Sequence, residues 1–373
     1  MAEPRRLRGH KATATCCIAS RDRPGLVATA GEDGCVCWFD LRCKDAQLIM
    51  EVGEQPVSSL CFKPGNENIV YVSSGSEVKC FDVHMPAYSW SVLKNYNYNK
   101  EEINQIACSS KAAFLGSTDD SGEIKIIDIH QHCLYKTLRA GHTSICSSLQ
   151  FIPWKPWEVI TGGLDSKLVV WDFSKGRVLK ILDFDLLETN CSSTQCLNPA
   201  FVHAIAIPDV DMLEKSQKVC VVARGDGIVD VIDIESELAT VRSKSSTRAR
   251  KGSQSTSKSC SSAAGDEIQD QNRRNSFHLD FSLGGHTAAV SCVAFSLFGE
   301  RGKYLISGGN DKSLKIWDWS RYPDGGQTGS TNDVLRLNIN LSRKINWLCT
   351  TPSESENLVV CDTSKVVKVY SVS

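Results

Sequence analysis

Residues 305–318 read LISGGNDKSLKIWD, and the same order of residue types occurs at two earlier places in the chain. A short apolar run is followed by Ser or Thr, then by Gly, then by a turn with Asp, and then by an alternating strand that ends in an aromatic residue and Asp. VITGGLDSKLVVWD (159–172) and VATAGEDGCVCWFD (27–40) follow this order. A Gly-His pair stands upstream of each copy, at Gly9-His10, Gly141-His142 and Gly285-His286. Repetition of a pattern with this many parts predicts a repeat architecture.

Weaker copies of the same ending fill the gaps between the strong ones. They are SSGSEVKCFD, STDDSGEIKIID, VARGDGIVDVID and LVVCDTSKVVKVYS, which end at Asp82, Asp128, Asp233 and Ser371. Between Asp40 and Asp172 the endings are spaced by close to the ~40–45 residues of one four-stranded unit, and the longer spacings later in the chain mark insertions. Seven endings therefore predict seven four-stranded units.

The complete pattern resembles the WD repeat, and the resemblance extends over essentially the whole chain, residues 1–373. It implies an all-β fold, a seven-bladed β-propeller that forms a single domain. One small sheet cannot bury both faces alone, whereas blades stacked around an axis bury each other and leave only short edges. The resemblance also implies that the strand near Arg5–Arg8 completes the last blade beside VVKVYSVS (366–373). Stretches such as EEINQIA (101–107) and KINWL (344–348) are similar to one subgroup of this family.

In WD-repeat proteins a His, a Ser or Thr, an Asp and a Trp form a hydrogen-bonded chain within a blade, and the resemblance assigns three such sets here. They are His10, Thr29 and Asp33 with Phe39 in place of Trp; His142, Thr161, Asp165 and Trp171; and His286, Ser307, Asp311 and Trp317. The alternative is a catalytic His–Asp–Ser arrangement. Because the sets recur from blade to blade, we interpret them as a structural network. Phe39 has no indole N–H to donate, so the first network is expected to be weaker.

Composition limits the classes of function. Hydrophobic residues make up 41% of the chain, charged residues 23%, and the formal net charge is −1. A general binder of nucleic acid or of a membrane surface needs an excess of Lys and Arg, so neither class is expected. No apolar run reaches the ~18 residues of a membrane span, and MAEPRRLRGH lacks the apolar core of a secretory signal.

The 17 Cys residues do not have the spacing of a metal site or of a disulfide framework. Many stand within apolar runs, as Cys292 does in VSCVAF, where a reduced Cys behaves as a small buried hydrophobe. We therefore expect no metal, and we expect a reducing compartment, the cytoplasm or the nucleus or both.

Two segments interrupt the repeats. Residues 242–276 are rich in Ser and almost empty of large apolar side chains, so they are predicted to be a disordered insertion in blade five. We interpret this basic insertion as a solvated linker, and a nuclear-import or phosphorylation segment is the alternative. SRYPDGGQTGSTND (320–333) has the Gly, Pro and Asp content of a flexible loop.

No motif for catalysis, for a phosphate-binding loop or for a cofactor stands outside the repeats, so we predict no enzyme activity, no catalytic residue and no cofactor. A propeller offers a wide, rigid surface of loops, which favours a scaffold that binds other proteins. The expected state is a monomer within a larger complex, with no direct contact to nucleic acid or membrane.

One repeat ending suggests a particular partner. Phe39-Asp40-Leu41-Arg42 resembles the WD-x-Arg box by which many propellers attach to the adaptor of cullin-4 ubiquitin ligases; Asp33, Asp40 and Arg42 match that box, and Phe39 replaces its Trp. Two other endings have Ser174 and Ser320 where Arg is needed. The first hypothesis is thus a substrate receptor for such a ligase, with these three residues binding the adaptor. The alternative is an ordinary solvated loop Arg.

The second hypothesis is a reader of an extended peptide or histone tail at the opposite face. Residues at the starts of inner strands are expected to line the mouth of the channel, where they are Glu101, Glu102, Phe201, Arg343 and Lys344. Such a mixed acidic, basic and aromatic rim suits an extended basic peptide. The alternative is that these are ordinary exposed loop residues.

Overall fold

The computed structural model describes residues 3–43, 46–83, 91–187, 196–212, 218–239, 276–321 and 334–372, and these residues form seven four-stranded antiparallel sheets. The prediction of an all-β, seven-bladed propeller is therefore confirmed. The predicted disordered insertion lies outside the described residues except for Ser276, and the predicted loop at 320–333 lies outside them except for its first two residues.

The strands of the first three blades follow the chain in order. Blade one contains β2 (Ala14–Ala19), β3 (Leu26–Gly31), β4 (Cys35–Asp40) and β5 (Ala46–Glu51). Blade two contains β6 (Val57–Lys63), β7 (Asn66–Ser74), β8 (Glu77–Asp82) and β9 (Val92–Tyr96). Blade three contains β10 (Ile103–Cys108), β11 (Phe114–Asp119), β12 (Ile124–Asp128) and β13 (Cys133–Leu138).

The remaining blades continue the same scheme. Blade four contains β14 (Cys146–Phe151), β15 (Glu158–Gly163), β16 (Lys167–Asp172) and β17 (Arg177–Asp183), followed by α1 (Phe184–Leu187). Blade five contains β18 (Val202–Ala206), β19 (Val219–Arg224), β20 (Val229–Asp233) and β21 (Ser276–Leu279). Blade six contains β22 (Val290–Phe295), β23 (Tyr304–Gly309), β24 (Ser313–Asp318) and β25 (Leu335–Asn340). Blade seven contains β26 (Ile345–Thr350), β27 (Leu358–Asp362), β28 (Val366–Tyr370) and β1 (Arg5–Arg8). Short 3-10 turns cover Val210–Met212, Phe281–Leu283 and Trp319–Arg321.

The ring closes through its first strand. β1 pairs antiparallel with β28, with Arg5 opposite Val369 and Arg8 opposite Val366. The side chain of Leu7 is 1% exposed and packs in the apolar layer between blades seven and one. The predicted clasp is therefore confirmed, and the amino-terminal strand is the fourth strand of the last blade.

Apolar layers between neighbouring blades form the core. The first strand of each blade packs against the first strand of the next, and β26 packs against β2. Between blades three and four, for example, Ile126, Leu149 and Trp171 share one buried cluster. Gly141 precedes the His of blade four because a Cβ there would lie 2.1 Å from the indole ring of Trp171, so only Gly lets the chain cross that ring.

Each blade places its connections on two opposite faces. We call one of them the upper face; it carries the start of the first strand and the turn between the second and third strands. We call the other the lower face; it carries the turn between the first and second strands and the turn between the third and fourth. In blade one, His10 and Asp33 therefore lie at the upper face and Arg42 lies at the lower face.

A channel of about 640 Å³ runs along the axis and is lined by first-strand residues such as Cys16, Gln105 and Thr350. The loop after β18 reaches across its lower mouth. There Asp209 forms an ion pair with Arg21 of blade one. All described cysteines are free thiols, and burial raises the pKa of Cys108 to about 12, which favours the protonated, unreactive form. No helix among the described residues is long and apolar enough to cross a membrane.

Candidate interaction surfaces

The polar set of blade four forms a continuous hydrogen-bonded chain. The indole N–H of Trp171 donates to Thr161 Oγ1 at 2.8 Å, Thr161 Oγ1 lies 2.8 Å from His142 Nε2, and His142 Nδ1 lies 3.0 Å from Asp165 Oδ1. If Thr161 donates to Nε2, then Nδ1–H donates to the carboxylate and every group has a partner. The His142 side chain is buried, so both ring nitrogens serve the fold.

The set of blade six has the same arrangement. Trp317 donates to Ser307 at 2.9 Å, Ser307 Oγ lies 2.8 Å from His286 Nε2, and His286 Nδ1 lies 3.0 Å from Asp311. Burial lowers the pKa of His286 below its ordinary value, in spite of the neighbouring carboxylate. Burial of Asp311 opposes its ionisation, yet the hydrogen bond and attraction from His286 hold its pKa below the usual range. Because both pKa values are lowered, the pair favours a neutral His and an ionised Asp.

The set of blade one lacks one donor. His10 Nδ1 lies 3.1 Å from Asp33, and His10 Nε2 lies 2.8 Å from Thr29 Oγ1, as in the other blades. Phe39 fills the Trp position and is 1% exposed, but its ring offers no N–H to Thr29. Asp33 also accepts hydrogen bonds from the backbone N–H groups of Lys11 and Cys35, so its carboxylate is occupied at the upper face.

Blade three has a substitute network that the sequence pattern did not reveal. Asn99 Nδ2 donates to Asp119 Oδ2 at 2.8 Å, and Ser117 Oγ donates to Asn99 Oδ1 at 2.7 Å. Asn99 stands as far ahead of β10 as His142 stands ahead of β14. That equal spacing is the feature of the sequence from which the network of blade three could have been predicted. It was missed because Asn is not part of the Gly-His pattern.

Blade five replaces the network with buried charges. The Arg224 guanidinium is 3% exposed and binds both Asp226 and Asp230, the latter at 2.9 Å. His278, on the strand that follows the insertion, binds the other oxygen of Asp230. The hydrogen bond to Asp230 raises the pKa of His278, against the opposing effect of burial. When His278 is protonated, it adds a second positive charge beside the two carboxylates of the cluster.

Replacing His278 with Gln is expected to lower the melting temperature more at about pH 5.5 than at about pH 8. Because the folded-state pKa of His278 is raised, its charge stabilises the fold below the ordinary His pKa of about 6.5, and this contribution is lost as the pH rises through the folded-state pKa. Thermal unfolding of both proteins at the two pH values measures the difference. His203→Gln is the comparator with the opposite expected trend, since burial lowers the pKa of His203. Equal losses at both pH values for His278→Gln would contradict the assignment.

Arg42 projects from the lower face of blade one. Its side chain is 81% exposed, and its Nε and Nη2 groups donate to the Asp40 carboxylate at 2.9 and 2.6 Å. These bonds lower the pKa of Asp40 below its usual range. Arg5 of the clasp donates to the backbone carbonyls of Leu41 and Cys43, on either side of Arg42. The structure thus joins Asp40 to Arg42, whereas Asp33, the third residue of the box, lies at the other end of β4.

The predicted channel-mouth residues all lie at the upper face, on three different blades. Glu101 and Glu102 precede β10, Phe201 precedes β18, and Arg343 and Lys344 precede β26. The four charged side chains are exposed, and Phe201 is half-buried. Arg343 donates to the carbonyl of Thr363 at 3.3 Å, which turns it toward the neighbouring strand turn.

The polar sets and the blade order agree with a known repeat family. The model of the WD domain, G-beta repeat, matches residues 2–40, 132–172 and 278–318, and each matched segment ends at the Asp that closes a third strand. The chain carries WD repeats at these three segments and folds as a seven-bladed β-propeller. WD-repeat β-propellers typically act as scaffolds for protein interactions.

Several curated proteins resemble this WD-repeat β-propeller. A WD repeat-containing protein 53 homolog of Dictyostelium discoideum is 28% identical over 395 residues, which cover 98% of this chain and 94% of that protein. The predicted resemblance to the WD repeat-containing protein 53 subgroup is confirmed by this match. WD repeat-containing protein ATCSA-1 of Arabidopsis thaliana is 25% identical over 275 residues, which cover 73% of this chain and 53% of that protein. The GATOR2 complex protein WDR24 of Danio rerio is 28% identical over 42% of this chain and 20% of its own length, and its name assigns that protein to a complex.

Proposed function

We propose that this WD-repeat β-propeller is a non-catalytic scaffold that binds the adaptor of a cullin-4 type ubiquitin ligase through Arg42 and so acts as a substrate receptor. The observation that carries the proposal is the exposed guanidinium of Arg42, held beside the end of β4 by Asp40. The bonds to Asp40 use Nε and Nη2, so the Nη1 group is available for a contact with a partner. Arg is the side chain best suited to such a charge-assisted contact.

The equivalent positions of blades four and six show how Arg42 differs from an ordinary turn residue. Ser174 and Ser320 also bond back to the Asp that ends the third strand, each at 2.6 Å. All three residues therefore close the same turn, but Ser ends at the hydroxyl whereas Arg42 extends beyond it with a positive charge. The ordinary function of the position is to close the turn, and the added length and charge at blade one are what a partner would recognise.

Arg42→Ala is expected to reduce recovery of the ligase adaptor in a pull-down by about 30-fold, because truncation of an interface Arg that is a hot spot commonly costs about 2 kcal/mol or more. The melting temperature should change little, since exposed substitutions usually stay within about 0.5 kcal/mol. The experiment compares purified wild type and variant with purified adaptor.

Arg177→Ala is the matched control. Arg177 is 60% exposed at the lower face of blade four and lies 3.6 Å from Asp172, which ends the third strand there. It therefore has the charge of Arg42 and a similar neighbour, but it does not occupy the position of Arg42 directly after the strand. Adaptor recovery should be unchanged by this substitution. Equal recovery by wild type and Arg42→Ala, or recovery by neither, would remove the basis of the ligase proposal.

A peptide reader at the upper face is the second candidate, supported by the common location of the predicted mouth residues on one face. Glu101 and Glu102 supply negative charge there without an ion pair to Arg343 or Lys344, because the two acids stand on blade three and the two basic residues on blade seven. Charge reversal by Glu102→Lys should then weaken binding of a basic histone-tail peptide while leaving the adaptor unaffected. The two candidates are distinguished because their residues lie on opposite faces.

A further inference from the structure

A group of aromatic side chains lies at the lower face between blades three and four, and we call it the aromatic patch. Its members come from four separate segments: Phe114, Tyr135, Trp157 and Phe173. Phe114 lies 5.1 Å from Tyr135, 5.6 Å from Trp157 and 5.2 Å from Phe173, measured between ring centroids. Phe173 is fully buried and forms the floor of the patch.

The outer rings of the patch are open to solvent. The exposed fraction is 46% for Trp157 and 37% for Tyr135, and Leu134 beside it is also 37% exposed. These are large apolar side chains on the surface of a chain whose other aromatic rings are mostly within the blades. An exposed aromatic group supported by a rigid floor is typical of an interface anchor, since Trp and Tyr dominate binding hot spots.

The charges around the aromatic patch are positive on the outside and negative on the inside. Lys175 lies in the same turn as Phe173, and its side chain is 64% exposed. Its nearest acid is Asp172, whose side chain is 13% exposed and already accepts hydrogen bonds from the turn. Lys136 lies 5.7 Å from the centre of the Tyr135 ring. Lys111, in the loop just before Phe114, is exposed as well.

Two acids near the aromatic patch, Asp172 and Glu158, have mostly buried side chains. The Glu158 side chain is 17% exposed and lies 3.3 Å from the ammonium group of Lys155, so its charge is compensated within the protein. The surface that a partner meets is therefore apolar at Trp157 and positive at its rim. We propose that the aromatic patch binds an extended acidic segment of another protein, with one large apolar side chain of that segment packed on Trp157.

This inference is independent of Arg42, which lies on blade one rather than between blades three and four. Apolar burial on Trp157 would supply affinity, while the Lys side chains would select acidic sequences and speed association. Because Lys175 and Lys111 are exposed, binding is expected to weaken as the ionic strength rises.

The experiment selects binders of the intact wild-type chain from a displayed library of random short peptides and then measures the affinity of the enriched peptide as a synthetic compound. The enriched sequences should carry Asp or Glu around a Leu, Phe or Trp. Trp157→Ala should weaken binding of that peptide at least about tenfold. Lys175→Glu should also weaken binding, and because Lys175 is exposed this second variant tests the proposal without threatening the fold.

Ile49→Ala is the matched control. Ile49 is an exposed apolar side chain, 49% accessible, on the outer strand of blade one, and its replacement should leave peptide binding unchanged. The proposal is overturned by a library that yields no enriched sequence, by a basic consensus, or by a peptide that binds Trp157→Ala and Lys175→Glu as tightly as it binds wild type. Loss of adaptor binding in Arg42→Ala with retained peptide binding would separate the two surfaces.

Discussion

Deletion of residues 1–8 is expected to destabilise the entire propeller by about 3–5 kcal/mol, because it removes β1 from blade seven. The loss includes the buried side chain of Leu7, for which truncation of a core Leu alone typically costs about 2–5 kcal/mol. The backbone hydrogen bonds between β1 and β28 are lost with it. β28 then becomes an open strand edge, and such edges promote association.

Thermal unfolding and size-exclusion chromatography of the truncated and full-length proteins measure these effects. Leu7→Ala should reproduce a large part of the destabilisation without opening the edge. Arg6→Ala is the control on the same strand, since its side chain is 56% exposed and points away from the core. An unchanged melting temperature after deletion of residues 1–8 would rule out a stabilising clasp.

Asp311→Ala and Asp165→Ala are each expected to lower the free energy of unfolding by about 1–3 kcal/mol, because each leaves the buried N–H of a His without its acceptor. Asp33→Ala is expected to cost less, since Phe39 already leaves the network of blade one without one donor. Urea unfolding of the three variants against wild type measures the differences.

Asp311→Asn is the conservative comparison, because an amide oxygen can still accept from His286 Nδ1–H. The pH dependence gives a second test. The folded-state pKa of Asp311 is depressed, so its contribution is present above the ordinary Asp pKa of about 3.9 and is lost as the pH falls through the folded-state value. Equal destabilisation by all three Ala variants would show that the indole donor makes no difference to the network.

The strand pattern of this protein could be predicted because its most regular signals are local. The third strand of blade six ends at Asp318, and that of blade four ends at Asp172, where the aromatic–Asp pairs stand in the sequence. The Gly-His pairs are also visible in the sequence, and the structure supplies a reason for one of them, since Gly141 must cross the ring of Trp171. The seven blades follow from counting these endings, and the clasp follows from the resemblance to WD repeats.

The surfaces were less predictable because they depend on contacts between distant segments. The box around Arg42 was visible, but the sequence did not show that the Asp40 carboxylate accepts hydrogen bonds from the Arg42 guanidinium. The sequence pattern assigned no polar set to blade five, so it did not reveal the buried charges around Arg224. The aromatic patch joins side chains such as Phe114 and Trp157, which no spacing rule connects, so only the assembled blades bring them together.

The clasp also determines where additions to the chain emerge. Arg5 touches the carbonyls that flank Arg42, so β1 enters the ring from the lower face and runs to the upper face. β28 runs in the opposite direction and ends at the lower face, where Asn357 holds the backbone of Val372. An affinity tag fused to either end would therefore lie near the surface that carries Arg42. A tag there could block the adaptor sterically and lower its recovery in a pull-down. Interaction experiments on this protein are best made with the tag removed.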